Sequence, residues 1–240
     1  MYRMKKIIVT GGTGRFGKIL KKIIKNKYLF PNKNELNILS LSNIETYFKK
    51  KKPKVLIHLA GLSRPMDEHE SNMTKSIKLN IIGTCNIVMA CEKFNVKLIY
   101  FSTSYVYPGT NGNYLETDPL LPVNNYAWSK LGGETAVQMY QNSLIIRACM
   151  TERPFIHKKA LNDVRLNFIF QDEIAEILPK LIKLKGIINV GGPIRTVYDF
   201  AKKYNPSVKK ISLKNIKNVI YKKNMSMNIS KFKKIYKKKI

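Results

Sequence analysis

Acidic residues are scarce. Asp and Glu number 15 against 44 Lys and Arg, a formal charge of +29 over 240 residues, and no acidic residue follows Asp199. A surplus of that size invites a nucleic-acid or anionic-surface reading. Lysine, however, outnumbers arginine several-fold and is spread along the whole chain among Asn and Ile. No basic motif interleaved with aromatics, of the kind nucleic-acid modules carry, is present, so no specific nucleic-acid partner is expected. The field still concentrates anions, among them phosphate-bearing ligands.

Cysteine is also rare. Cys85, Cys91 and Cys149 are odd in number, lack C-x-x-C spacing and sit in apolar contexts, which fits reduced core thiols. Of the three histidines, His58 falls inside a strand-like run, and His69 and His157 have no partner at ligand spacing, so no metal site is expected. Long apolar runs are missing: none approaches the roughly 18 residues of a membrane span. The start, "MYRMKKIIVTGG", passes straight into a strand-like run with no cleavage site, so a cytoplasmic protein with no membrane partner is expected.

What is present is a hydrophobic fraction of 44%, enough for one domain or a large domain with a small lobe. Apolar runs at 5–10, 54–60, 97–101 and 144–147 alternate with helical spacing at 18–25, 44–51, 71–93 and 126–141. Strands that are apolar throughout and alternate with helices predict an α/β fold, a doubly wound parallel sheet covered on both faces. A further helix is expected over 172–185 and a strand over 186–190, stopped by "GGP". The division expected is a Rossmann domain over 1–150 and, over 151–240, a small interleaved substrate lobe with 186–192 returning to the sheet. Beyond Phe200, persistent Ile, Val and Tyr predict a partly folded segment ending in a basic tail that frays at its last residues.

"TGGTGRFG" sets Gly11, Gly14 and Gly17 in G-x-x-G-x-x-G between the first strand and the first helix. Glycines there permit a tight turn and close approach of a pyrophosphate, which the helix N-terminus then holds. That placement predicts a dinucleotide site that includes Arg15 and Phe16. Some twenty residues on, where an acid would accept the ribose hydroxyls of NAD, "KNKYLFPNKNELN" offers only Glu35, with Lys27 and Lys33 beside it. The cofactor expected is NADP or NAD, leaning to NADP.

Tyr126 and Lys130 are i and i+4, on one helix face, and follow a strand ending in Ser102, Thr103 and Ser104. Ligands of open α/β sheets bind beyond the carboxyl ends of strands. A cation beside a phenol is expected to lower its pKa, and such a tyrosine exchanges a proton with a carbonyl or hydroxyl.

In "VTGGTGRFG", "PKVLIHLAG", "LNIIGTCNI", "STSYVYPGTNGNYLETDPLLPVNNYAWSKLGGE" and "IIR", residues 5 to about 150 resemble the extended short-chain dehydrogenase/reductases, and within them the dTDP-4-dehydrorhamnose reductase-like proteins. The resemblance implies an NAD(P)-dependent oxidoreductase that reduces the keto group of a nucleotide-linked deoxysugar, as in dTDP-rhamnose and polysaccharide biosynthesis. Tyr126 would be the general acid, Lys130 its electrostatic partner and a ligand of the cofactor ribose, and Thr103 a donor to the substrate oxygen. Ala60 and Gly61 would run along the cofactor and Asn80 would support the site. Ser104, Glu116 and Arg147 are candidates for substrate contact, although Glu116 could equally order its loop and Arg147 support the fold. A homodimer through the helices of 71–93 and 126–141 is also implied.

Three departures bear on substrate identity. Ser104 stands where rhamnose-pathway reductases carry Asp, Trp128 occupies a normally small position, and 151–168 is shorter than in the family. The alternatives are a nucleotide-sugar epimerase and a non-catalytic dinucleotide-binding regulatory subunit. A dehydratase is disfavoured because Ser104-Tyr105 supplies no acidic pair.

Overall fold

The computed structural model describes residues 7–24, 27–155, 157–216 and 222–236. Its first part runs β1 (Ile7–Thr10), α1 (Arg15–Ile24), α2 (Leu41–Lys51), β2 (Val55–His58), α3 (Glu68–Ser71), α4 (Met73–Ser76), a π-helical turn (Ile77–Ile82), α5 (Gly83–Lys93), β3 (Lys97–Thr103), α6 (Asn125–Gln138) and β4 (Ser143–Ala148). The second part runs β5 (Met150–Thr151), β6 (Lys159–Leu161), β7 (Arg165–Leu166), β8 (Ile169–Phe170), α7 (Gln171–Leu181), β9 (Gly186–Val190), β10 (Arg195–Thr196), α8 (Val197–Tyr204), β11 (Lys209–Ile211) and α9 (Ser230–Ile235).

Among the described residues the main sheet has five strands in the order β1-β2-β3-β4-β9, all parallel. Leu29 adds a single parallel bridge to Ile8 at the β1 edge. Successive strand residues face opposite layers, so Ile8 packs with Ile44, Phe48 and Leu56, and Val9 with Phe16, Leu20 and Ile57. In α1, Phe16, Leu20 and Ile24 recur every four residues and bury one stripe in the layer that also holds Ile174 and Leu178 of α7. Ile44 of α2, Ile87 of α5 and Val137 of α6 fill the other layer. The result is an α/β sandwich with every central strand covered on both faces.

The helical stretch over 71–93 is divided rather than continuous. Asn72 separates α3 from α4 and caps the latter by accepting from the Lys75 N–H at 3.1 Å. The chain then widens into the π turn, from which Asn80 points into the interior with 1% of its surface exposed. π turns inserted in α-helices are frequent at functional sites. At its far end α6 stops at Gln138, short of Gln141, and α7 gives way after Leu181 to a turn closed by the Leu184 N–H on the Leu181 carbonyl.

Outside the sheet, β6 pairs with β11, β7 with β10 and β5 with β8. Phe155, Ala160, Phe170, Phe200, Ala201 and Val208 form a small core of their own. Residues 222–236 act as a strap across the molecule. Asn224 N–H donates to the Gly109 carbonyl (3.0 Å), Tyr114 N–H to Ser226 (3.1 Å) and Asn228 N–H to Tyr114 (2.8 Å), while Met225, Met227 and Phe232 are fully buried. The final residues, 237–240, expected to fray, lie outside the described residues.

Candidate functional site

A cavity of about 980 Å³ opens beyond the carboxyl ends of β1 to β4, where an open parallel sheet receives its ligands. It is lined at one end by Gly11, Gly14, Arg15, Phe16 and Gly17, along its floor by Ala60, Gly61 and Asn80, and at the reacting end by Thr103, Ser104, Tyr126 and Lys130. The sequence-predicted dinucleotide and acid residues therefore share one space.

The glycine loop has no room for side chains. Gly11 takes φ +72°, and a Cβ on Gly17 would stand 2.3 Å from the Gly11 carbonyl oxygen. The Gly14 N–H closes the turn on Gly11 at 3.0 Å, and α1 starts at Arg15 with its N-terminus at the cavity. Arg15 bridges the mouth to Glu152 (3.1 Å). Lys33 lines the cavity, whereas the Glu35 carboxylate is turned back to accept from the Asn32 N–H at 2.8 Å. The cradle fits a dinucleotide, with a cation rather than a free carboxylate where its adenosine ribose would lie.

At the reacting end, the pKa of Tyr126 does not follow the sequence expectation. Burial raises its phenol above the usual value, against the Thr103 hydroxyl and the Arg64 cation, which hold it down. Its ring meets His69 edge-on at 5.0 Å and Tyr105 at 6.3 Å. Lys130 stacks its ammonium 4.1 Å from the centroid of Tyr100, and burial lowers its pKa to about 7, with Glu134 opposing. Both shifts come from desolvation, which disfavours the charged form of each group. The Tyr126 phenol is thus protonated at neutral pH.

Two sequence candidates lie off the cavity. Arg147 is 2% exposed and commits its guanidinium to Glu134 Oε1 (Nε 3.0 Å, Nη2 2.7 Å), to the Tyr107 hydroxyl (2.7 Å) and to the Glu116 carbonyl (3.0 Å). Glu116 accepts from the Asn189 N–H of β9 at 3.0 Å and meets Lys231 at 3.4 Å. Both order the long loop after β3 against the sheet and the strap. Ser104 stays at the cavity, while Trp128 points outward, 51% exposed.

Glu134 was not singled out from the sequence. It is fully buried, accepts from Ser102 and Arg147, and sits one turn beyond Lys130, an i,i+4 spacing visible in "SKLGGE". Gln171, at the start of α7, lines the cavity with its Oε1 buried and unpartnered; nothing in the sequence marks it.

The glycine cradle, the Ser/Thr strand end and the Tyr-x-x-x-Lys pair on one parallel sheet define an extended short-chain dehydrogenase/reductase. More narrowly, the chain belongs to the RmlD substrate binding domain family, which matches residues 4–151. The fold is shared with the Bacillus anthracis dTDP-4-dehydrorhamnose reductase solved with NADP, at a TM-score of 0.84 and 20% identity over 97% of this chain and 92% of that one. Among curated proteins, methionine adenosyltransferase 2 subunit beta of Rattus norvegicus is 29% identical over 143 residues, 55% of this chain and 42% of its own length. GDP-L-colitose synthase of Yersinia pseudotuberculosis is 31% identical over 120 residues, 48% of this chain and 39% of its own. The chain thus spans less than half the length of these curated relatives.

Proposed function

We propose that the protein is an NAD(P)-dependent oxidoreductase that reduces the keto group of a nucleotide-linked deoxysugar. The observation that carries this reading is that Thr103, Tyr126 and Lys130 line the same cavity as the Gly11 to Gly17 cradle. A reduced nicotinamide bound there supplies hydride to the keto carbon. Tyr126, held protonated, donates its proton to the keto oxygen, and Thr103 hydrogen-bonds the same oxygen. The resulting phenolate is stabilised by Lys130 and Arg64. Lys33 and the absence of a free carboxylate beside it favour NADP over NAD.

We assign residues 1–150 to the cofactor domain and 151–240 to the lobe that shapes the substrate end. That end offers Arg64, Lys159 and His157 to a diphosphate, and the unpartnered Gln171 Oε1 to a sugar hydroxyl. The dTDP-4-dehydrorhamnose reductase and GDP-L-colitose synthase relatives support a sugar nucleotide as substrate. Among the described residues no helix is long and apolar enough to cross a membrane. Exposed Met73, Met89 and Trp128, on α4, α5 and α6, favour a homodimer through these helices, which a monomeric mass in light scattering would refute.

A second reading, a dinucleotide-binding regulatory subunit, is favoured by the subunit beta relatives. The test is oxidation of NADPH and NADH with dTDP- and UDP-linked 4-keto-6-deoxysugars, wild type beside Tyr126→Phe. Turnover lost with the single hydroxyl while cofactor binding is kept supports the reductase. Cofactor binding with no turnover by the wild type overturns it for these sugars, and epimerase assays and a search for a partner enzyme follow.

A further inference from the structure

Two residues before the cofactor-side Ala60, a buried side chain joins the two halves of the predicted site. His58, at the end of β2, is 1% exposed, with Nδ1 2.8 Å from Thr10 Oγ1 and Nε2 3.2 Å from Thr84 Oγ1. Thr10 closes β1 just before the glycine cradle, and Thr84 lies one turn beyond Asn80.

The surrounding hydrogen bonds fix where each proton goes. Thr10 Oγ1 accepts from the Leu59 and Ala60 N–H groups, both at 3.2 Å, so its two lone pairs are taken and its own proton must point to Nδ1. Thr84 donates its proton to the Asn80 carbonyl at 2.7 Å, so its oxygen must accept from Nε2. Both ends independently require neutral imidazole with the proton on Nε2. Burial and the nearby Lys130 agree, lowering the pKa of His58 to about 3.

Beyond Thr84 the order continues. Asn80 clasps Leu62 from both sides, Oδ1 accepting its N–H (2.7 Å) and Nδ2 donating to its carbonyl (2.8 Å). The same Nδ2 donates to Ser129 Oγ (2.8 Å), which donates to the Tyr126 carbonyl (2.8 Å). The loop 59–62, which lines the cavity, hangs between Thr10 and Asn80, and Asn80 is tied in turn to the helix of the acid.

We infer that His58 is a positioning residue: locked as its Nε2–H tautomer between Thr10 and Thr84, it sets the cofactor-side loop and the Tyr126 helix as one unit. The inference rests on the proposed reduction only for its effect on turnover; the tautomer and the linkage are read without substrate.

The first test is nitrogen-15 NMR of histidine-labelled wild-type protein between pH 5.5 and 8. One histidine should show a protonated Nε2 and a bare Nδ1 throughout, assigned by its loss in His58→Asn or, should that variant not fold, by through-space contacts to Tyr100, whose ring centroid is 6.0 Å away. A His58 resonance that titrates in this window, or that carries its proton on Nδ1, overturns the proposal.

The second test is a double-mutant cycle. His58→Asn keeps an acceptor for Thr10 and loses the link to Thr84, and Thr84→Val breaks the same link from the other side. Each should leave the NADPH dissociation constant within about threefold while lowering kcat about tenfold or more, and the double variant should lose no more than either single one. Losses that multiply in the double variant, or kcat unchanged in Thr84→Val, overturn it. If wild type turns over no keto sugar, the reductase reading fails, and the NMR result alone decides the inference: a His58 that titrates or carries its proton on Nδ1 still overturns it.

Discussion

Arg147 and Glu134 meet at 2.7 Å with side chains 2% and 0% exposed, a salt bridge sealed between β4 and α6 directly behind Lys130. Glu134 holds the Arg147 guanidinium charged, and Ser102 completes its hydrogen bonding. Removing one partner strands the other charge. Arg147→Met should therefore cost about 3–5 kcal/mol in urea unfolding. Arg147→Met with Glu134→Leu should cost less than the two single changes together, because neither charge is then left alone. An additive result would mean the pair does not act as one unit.

Gly17→Ala places a methyl 2.3 Å from the Gly11 carbonyl, which belongs to backbone and cannot swing aside. Relief requires the cradle itself to move. The expected outcome is a protein that folds with about 1–3 kcal/mol less stability and binds NADPH at least about tenfold more weakly by fluorescence titration. Unaltered affinity would place the pyrophosphate elsewhere.

Lys33→Glu tests the choice of cofactor. The loop carries Lys33 at the cavity and keeps Glu35 turned away, so a carboxylate at 33 should repel a 2′-phosphate and accept ribose hydroxyls instead. The ratio of NADPH to NADH affinity should fall by about tenfold, roughly 1.4 kcal/mol. A constant ratio would move the phosphate contact to Arg15.

Lys130 gives the stability curve a defined slope. Its pKa is lowered to about 7 in the folded protein from 10.5, so between those values the unfolded chain binds more protons. Stability should then rise with pH through that window and stay at its lower level at and below pH 7, where the lysine is charged in both states. Lys130→Met lacks this titration. Plotted from pH 6 to 10, the melting temperature of wild type minus that of the variant should climb; a flat difference would show a lysine that stays solvated.

Much of this was legible because it is local. The glycine spacing, the run "KKIIVT" and the i,i+4 placement of Tyr126 and Lys130 state their geometry within a few residues, and the structure brings them to one cavity. The π turn was not legible, since apolar residues at 77–82 recur at spacings an α-helix would also use. Nor were the partners of Arg147 and Glu116, which depend on β4 and β9 lying side by side. The phenol pKa of Tyr126 went opposite to the local expectation for the same reason. Pairing of charges is read from spacing, but desolvation is decided by everything packed around them, here Tyr100, His69 and Tyr105 from distant parts of the chain.

The strap has a consequence in time. Asn113 N–H finds Ser226 Oγ at 2.9 Å across a sequence separation of 113, and Tyr114 pairs with the same segment. During synthesis, β1 to α6 can pack while the loop after β3 still waits for partners that have not yet been made. Closing so wide a span carries an entropic cost that neighbouring βα units avoid, and such contacts form late. The long loop should thus be the last part of the molecule to settle, and in a finished protein the place where amide hydrogens exchange before those of the sheet.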